Sequence, residues 1–259
     1  MSTGMDRIGG DLRDLLRRRE IIARCELLNR TYQIVRTANI RPTEKEELSK
    51  LVGKQIASGV FSNILSGSPI FFDLPRLDTY TLLDGKIFHF IHTKKYSRQD
   101  FDNANRQFQE SKSELREILI ENLDQMLTDF MASAGYALKE SGRKLYFEAA
   151  DRKAECIIYS NLKEIDIEDI NSSPDADCII LIPSAENIGP FVQFFQEKGD
   201  SIANSGIQIW VANLEQGSID PFIGYTTDMD LYNQFKNPRL AQIVRSTWGK
   251  KSNVEADWE

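Results

Sequence analysis

Several side chains are spaced so that they could do chemistry. Arg13, Arg17 and Arg24 lie 4 and 7 residues apart, which puts them on one face if residues 11–35 form a helix. Such a stripe can clamp phosphates, making DNA or RNA the partner it implies. The competing reading is a solvated face paired with nearby acids such as Asp14 and Glu20. Trp210, Phe222 and Tyr225 gather around one strand end. They could form a stacking platform or a partner-binding patch, or they could close the end of the core. His89 and His92 are three apart on a strand and face opposite ways, so they do not chelate one metal together. Cys25, Cys156 and Cys178 form no CxxC pair. Cys156 and Cys178 each precede Ile-Ile and read as small buried hydrophobes, so no zinc site is expected. An odd, scattered cysteine count points to a reducing cytoplasm.

Other motifs are missing. The sequence has no GxxxxGK(S/T), no GxGxxG after a strand, no GxSxG and no HExxH. The acids from Asp166 to Asp177 lack the glycine and closing glutamate of a calcium loop and read as a solvated loop before a buried strand.

The elements that must position these residues follow from periodicity. At 259 residues, 41% hydrophobic and 27% charged, the chain can build one large domain or two small ones. That composition excludes a disordered chain, a collagen repeat and a disulfide-stapled miniprotein. Apolar runs such as Cys178–Pro183 are far too short to span a membrane, and arginines interrupt the N-terminal stretch where a secretory signal would need an apolar run. Residues 1–100 hold 17 Lys+Arg and 12 Asp+Glu, whereas the remainder is acidic. The two parts could attract each other, or the first could meet an anionic partner.

Residues 1–10 read as a loose tail and Asp11 to about Val35 as a helix. A capping box at Thr43 and Glu46 predicts another helix, ended by Ser66-Gly67-Ser68-Pro69. Asp84-Gly85 predicts a hairpin between Thr79–Leu82 and Ile87–Ile91. Ser97, with Asp100 three residues on, opens a long helical stretch over residues 97–134, stopped by Gly135. Strands are expected at Tyr136–Lys139, Lys144–Ala150, Glu155–Ser160, Cys178–Ile182 and Ile207–Ala212, with helices over Gly189–Lys198 and Asn237–Trp248.

The order from Ser113 to Val211 resembles the restriction-endonuclease-like fold of the PD-(D/E)XK superfamily. It runs from a long helix ending in Ala134-Gly135-Tyr136, through strands carrying acids, to a buried strand, a helix and another buried strand. In active members a strand pair presents an Asp, then an acid-x-Lys triplet. Two carboxylates and a carbonyl hold Mg²⁺, which activates water, and the Lys assists. On this resemblance Glu148, Asp151 and Glu155 are the candidate catalytic acids. The strand starting at Glu155 departs from the pattern, because Ile158-Tyr159-Ser160 and Tyr159-Ser160-Asn161 offer neither the acid nor the Lys. This implies a core that keeps the fold and has lost the chemistry.

The expectation is therefore an α+β or α/β protein: residues 1–96 a helical domain with a β-hairpin, and residues 97–259 an α/β domain with a mixed central sheet, opened by the long helix. The expected function is a non-catalytic, cytoplasmic binding or scaffold protein without a cofactor, associated with nucleic acid through Arg13, Arg17 and Arg24. One alternative is a Mg²⁺-dependent nuclease or phosphodiesterase using Glu148, Asp151 and Glu155. Another is a protein-assembly module that meets another protein or a second copy through an exposed apolar side of the 97–134 helix. No membrane partner is expected.

Overall fold

The computed structural model describes residues 4–37, 76–83, 86–92, 96–150, 152–171, 173–183, 189–214 and 218–223. The architecture is α+β, with helices and an antiparallel sheet first and a mixed six-stranded sheet after them. The predicted helices around Thr43 and over Asn237–Trp248 lie outside the described residues. The chain divides into two compact units: Met1–Asn122 with Leu214–Gly217, and Leu123–Asn213 with Ser218–Glu259.

In the first unit, helix α1 spans Gly4–Arg18, so the expected loose tail is already helical from Gly4. The single helix expected to Val35 is interrupted. Ile21–Ala23 form strand β1, and helix α2 follows over Arg24–Thr37. The cause is tertiary. Stiff β-branched isoleucines fit a pleated sheet, and pairing here outweighs the helical period. All three β1 residues are buried. β2 (Arg76–Leu83) and β3 (Lys86–His92) form the hairpin that Asp84-Gly85 predicts, and β3 lies between β1 and β2 in an antiparallel sheet. Ala23 pairs with Phe90 in register.

Helix α3 (Arg98–Glu110) opens on the expected capping box. The Ser97 hydroxyl accepts the Asp100 N–H, and the Asp100 carboxylate accepts the Ser97 N–H at 2.8 Å. The long stretch is two helices, because α4 (Lys112–Ser133) starts after a break at Ser111. The Ser111 hydroxyl donates to the Gln107 carbonyl at 2.9 Å, a back-bond that bends helices. Phe90 stands edge-on to Phe101 and Phe108, at 5.0 and 5.8 Å between ring centres. Ile21, Ala23, Phe90, Ala104, Phe108, Leu115 and Ile118 form this unit's core cluster.

The boundary between units falls inside α4, between Asn122 and Leu123, whereas the sequence suggests one near residue 96. The C-terminal half of α4 belongs to the second unit and ends as predicted at Gly135. That residue has φ +87°, with Tyr136 N–H donating to Met131 O and Gly135 N–H to Ala132 O. This is a Schellman ending, which needs a left-handed residue at that position.

The second unit is built on a sheet in the order β4 (Ala137–Ser141), β5 (Leu145–Glu148), β6 (Lys153–Ile158), β7 (Asp177–Pro183), β8 (Gln208–Asn213) and β9 (Ser218–Ile223). β5 runs antiparallel to both its neighbours, β4 and β6; β6, β7 and β8 are parallel, and β9 returns antiparallel. Helix α5 (Gly189–Ser205) links β7 to β8. The segment Cys178–Ile182 is wholly apolar because both faces of its strand are covered. Cys178, Ile180 and Ile182 pack with Ile165, Ile167, Ile202, Ile207 and Ile209. Ile179 and Leu181 point the other way and are also fully buried. β9 carries Pro221, which a strand tolerates at the sheet edge.

Candidate functional site

Glu155 sits on β6, where the antiparallel part of the second sheet meets the parallel part. Register sets it opposite Tyr146 on β5 and beside Cys178 on β7. Glu148 lies two residues beyond Tyr146, so Glu148 and Glu155 project from the same face. That much agrees with a carboxylate pair. The partners of each acid do not.

Glu155 is only 5% exposed. One carboxylate oxygen accepts Lys144 Nζ at 2.9 Å, and the other accepts the Ser173 N–H at 3.3 Å. Lys144 also donates to the Asn171 carbonyl. The hydrogen bond that Lys144 donates to Glu155 holds its ammonium above the ordinary lysine range against the opposing effect of burial. Together Lys144 and Glu155 tie the start of β5, the middle of β6 and the loop at residues 171–173. Glu148 pairs with Lys139 at 3.4 Å, both side chains well exposed, a contact worth little in water. Asp151 lies outside the described residues. Among the described residues, no group of three or more His, Cys, Asp and Glu is placed to hold a metal ion. Cys178 is held above the ordinary thiol range chiefly by burial, and buried Cys156 is held well above it for the same reason. Both thiols are therefore poor nucleophiles.

The arginine stripe does not survive folding. Arg13 and Arg17 lie on α1, and Arg24 opens α2 beyond β1, so the helical spacing no longer aligns the three. Arg17 is exposed and 3.7 Å from Asp14, one of the acids named as its partner. The side chain of Arg13 is outside the description.

Trp210 is a core residue, fully buried. Its ring stands edge-on to Phe130 of α4 at 5.6 Å, and its Nε1–H donates to Gln208 Oε1 at 3.2 Å. It presents no face for stacking, which corrects the reading of it as part of a partner patch. Phe222 lies in β9 with its side chain undescribed, and Tyr225 is beyond the described residues. His89 and His92 lie on β3, opposite Tyr80 and Ile21 in register. Asp166, Glu168, Asp169 and Asp175 are exposed, as expected of a solvated loop.

The first unit holds a charged group that sequence reasoning missed. Glu26 is fully buried on α2 between Arg19, at 2.9 Å, and Arg30, at 3.1 Å. Arg30 also grips Glu114 of α4 with two bonds, at 3.1 and 3.0 Å. Burial alone would lower the Arg30 pKa, but the hydrogen bonds it donates to Glu114 and Glu26 outweigh that and raise it. The bond from Arg30 lowers the pKa of Glu114. Arg36 pairs with Glu121 further along the same two helices. The Glu26/Arg30 spacing of four was the available signal.

The exposed residues of α3 and of α4 as far as Asp129 are all polar, and Phe101, Leu119, Ile120 and Met126 on the same helices are half-buried. Among the described residues, no helix is long and apolar enough to cross a membrane. No curated protein matches the chain. A family described as "Domain of unknown function (DUF6834), C-terminal domain" matches residues 104–237, from within α3 to beyond β9 and over half of the 259 residues. With that extent of match, the chain belongs to the DUF6834 family through its C-terminal domain.

Proposed function

We propose that the protein is a non-catalytic binding or scaffold protein, built on a sheet that resembles the restriction-endonuclease-like core and associated with nucleic acid. The order of a long helix, three antiparallel strands and a parallel strand–helix–strand supports the resemblance. One observation carries the loss of chemistry. The Glu155 carboxylate is buried and already committed to Lys144 and to the Ser173 N–H. A carboxylate neutralised by an ammonium at 2.9 Å contributes little net negative charge to a divalent cation. The nucleic-acid part of the reading rests on the basic balance of residues 1–100 and on exposed Arg17.

The test is a fluorescence-anisotropy titration with labelled single- and double-stranded DNA and RNA at two salt concentrations. The reading expects binding that weakens as salt rises, because phosphate contacts release counterions. Absence of binding to every probe at low salt overturns the nucleic-acid part.

A second reading has one observation in its favour. Glu148 and Glu155 share a sheet face, as the two acids of a Mg²⁺-dependent nuclease or phosphodiesterase must. In that case Glu148, Asp151 and Glu155 would hold Mg²⁺, which would supply an activated water. Lys144 would first have to release Glu155. Metal-dependent cleavage of the probes, lost in Glu155→Ala, would establish this reading over the first.

A further inference from the structure

We infer that β4 is a self-association edge, where a second copy of this chain adds its own β4 in antiparallel register. β4 is an outer strand of the six-stranded sheet, and all five of its residues are exposed. An outer strand presents unpaired backbone N–H and C=O groups along one side, a template for another strand. Leu138, at 39%, is the exposed large hydrophobic side chain among the described residues, and it lies on this strand.

Charge selects a second copy as the occupant. The strand reads Ala137-Leu138-Lys139-Glu140-Ser141. The register shift between Leu138 and Glu140 brings Lys139, which reaches Glu148, onto the same face as Glu140, opposite Tyr146; a two-fold axis between residues 139 and 140 then sets Lys139 of each chain opposite Glu140 of the other, and Leu138 opposite Ser141. The interface is then isologous and closed, as a two-fold dimer requires. Glu140 has no ion-pair partner within its own chain among the described residues, so its charge is available. A register shift between Leu138 and Glu140 leaves Lys139 without a counterpart on β5. Among the described residues, Lys139 makes only the exposed pair with Glu148. A five-residue strand pair buries little area, so the association is weak and concentration-dependent. The inference does not depend on what else the protein binds.

The experiment is sedimentation equilibrium of the full chain up to about 500 µM, a range suited to a small interface. The four proteins are wild type, Lys139→Glu, Glu140→Lys and the double swap, each checked for unchanged circular dichroism. Wild type is expected to move from 29.6 kDa towards twice that mass. Each single reversal puts like charges opposite each other twice and should weaken association about tenfold at low salt. The double swap should restore it. Glu140→Lys leaves the Lys139–Glu148 pair intact, which separates the effect between chains from any effect within one. A monomer across the whole range overturns the inference and makes Lys139 and the shifted register a guard against edge pairing. Association that ignores the single reversals, or that the double swap fails to restore, also overturns it.

Discussion

Glu26→Ala is the substitution that most sharply tests the energetics of the first unit. The carboxylate has no exposed surface, and its two arginine partners are 15% and 19% exposed. Removing it leaves Arg19 and half of Arg30 without their counter-charge. Breaking a buried pair by deleting one partner costs about 3–5 kcal/mol. Arg30 retains Glu114 through two bonds and both arginines reach some water, which favours the lower end, about 3 kcal/mol. Urea unfolding followed by far-UV circular dichroism would show this as a midpoint lowered by about 1–2 M, given a slope of about 2 kcal/mol/M. Glu26→Gln keeps the shape and some hydrogen bonding and should cost about half as much. Glu114→Gln removes the more exposed end of the chain of charges and should cost under about 1 kcal/mol. If Glu26→Ala falls within about 0.5 kcal/mol of wild type, as an ordinary surface substitution does, then the Arg19–Glu26–Arg30 arrangement is not a cohesive element.

Three further outcomes follow from named contacts. Tyr32 donates to the Leu214 carbonyl at 2.7 Å, and burial pushes its phenol up to about 12. A raised phenol pKa stabilises the fold fully below pH 10, the unfolded value, and that stability is lost as pH rises from 10 to about 12. Tyr32→Phe should cost about 1 kcal/mol at neutral pH and make alkaline unfolding shallower, as read from stability against pH. Trp210→Ala should cost about 3–5 kcal/mol because it empties a fully buried site, and Trp210→Phe distinctly less; equal costs would contradict the packing. At Gly135 an added Cβ meets nothing within 4 Å, so only its φ of +87° opposes a side chain. Gly135→Ala should cost about 1–2 kcal/mol, and Gly135→Asn less, in thermal unfolding.

The legible parts of this fold are those written in local chemistry. Asp84-Gly85 marked the hairpin, Ser97 and Asp100 the start of α3, Gly135 the end of α4, and apolar-rich runs the buried strands β7 and β8. What the sequence concealed depends on distant partners. Ile21–Ala23 carry a helical spacing and become a strand only because β3 lies beside them. That one event also dismantled the arginine stripe. α4 shows one continuous pattern, yet its two halves serve different units. Pro221 disguised β9. Glu155 was legible as an acid on a strand, but its lysine was not. Lys144 is eleven residues away, and only the β5–β6 register brings it within 2.9 Å. The PD-(D/E)XK resemblance directs attention to the Lys position of an acid-x-Lys triplet further along the same segment, where Ser160 or Asn161 stands.

Glu155 is therefore the residue on which the account stands. The direct measurement pairs two readouts on wild type, Glu155→Gln and Glu155→Ala: cleavage of labelled DNA and RNA with Mg²⁺ or Mn²⁺, and thermal stability. A structural tie predicts intact probes with all three proteins. It also predicts a midpoint for Glu155→Ala lower by several degrees, from a loss of about 3 kcal/mol, the lower end for a buried pair whose lysine reaches some water. Metal-dependent cleavage by wild type that disappears in both variants, while their midpoints stay at the wild-type value, would contradict the account and make Glu155 a catalytic residue.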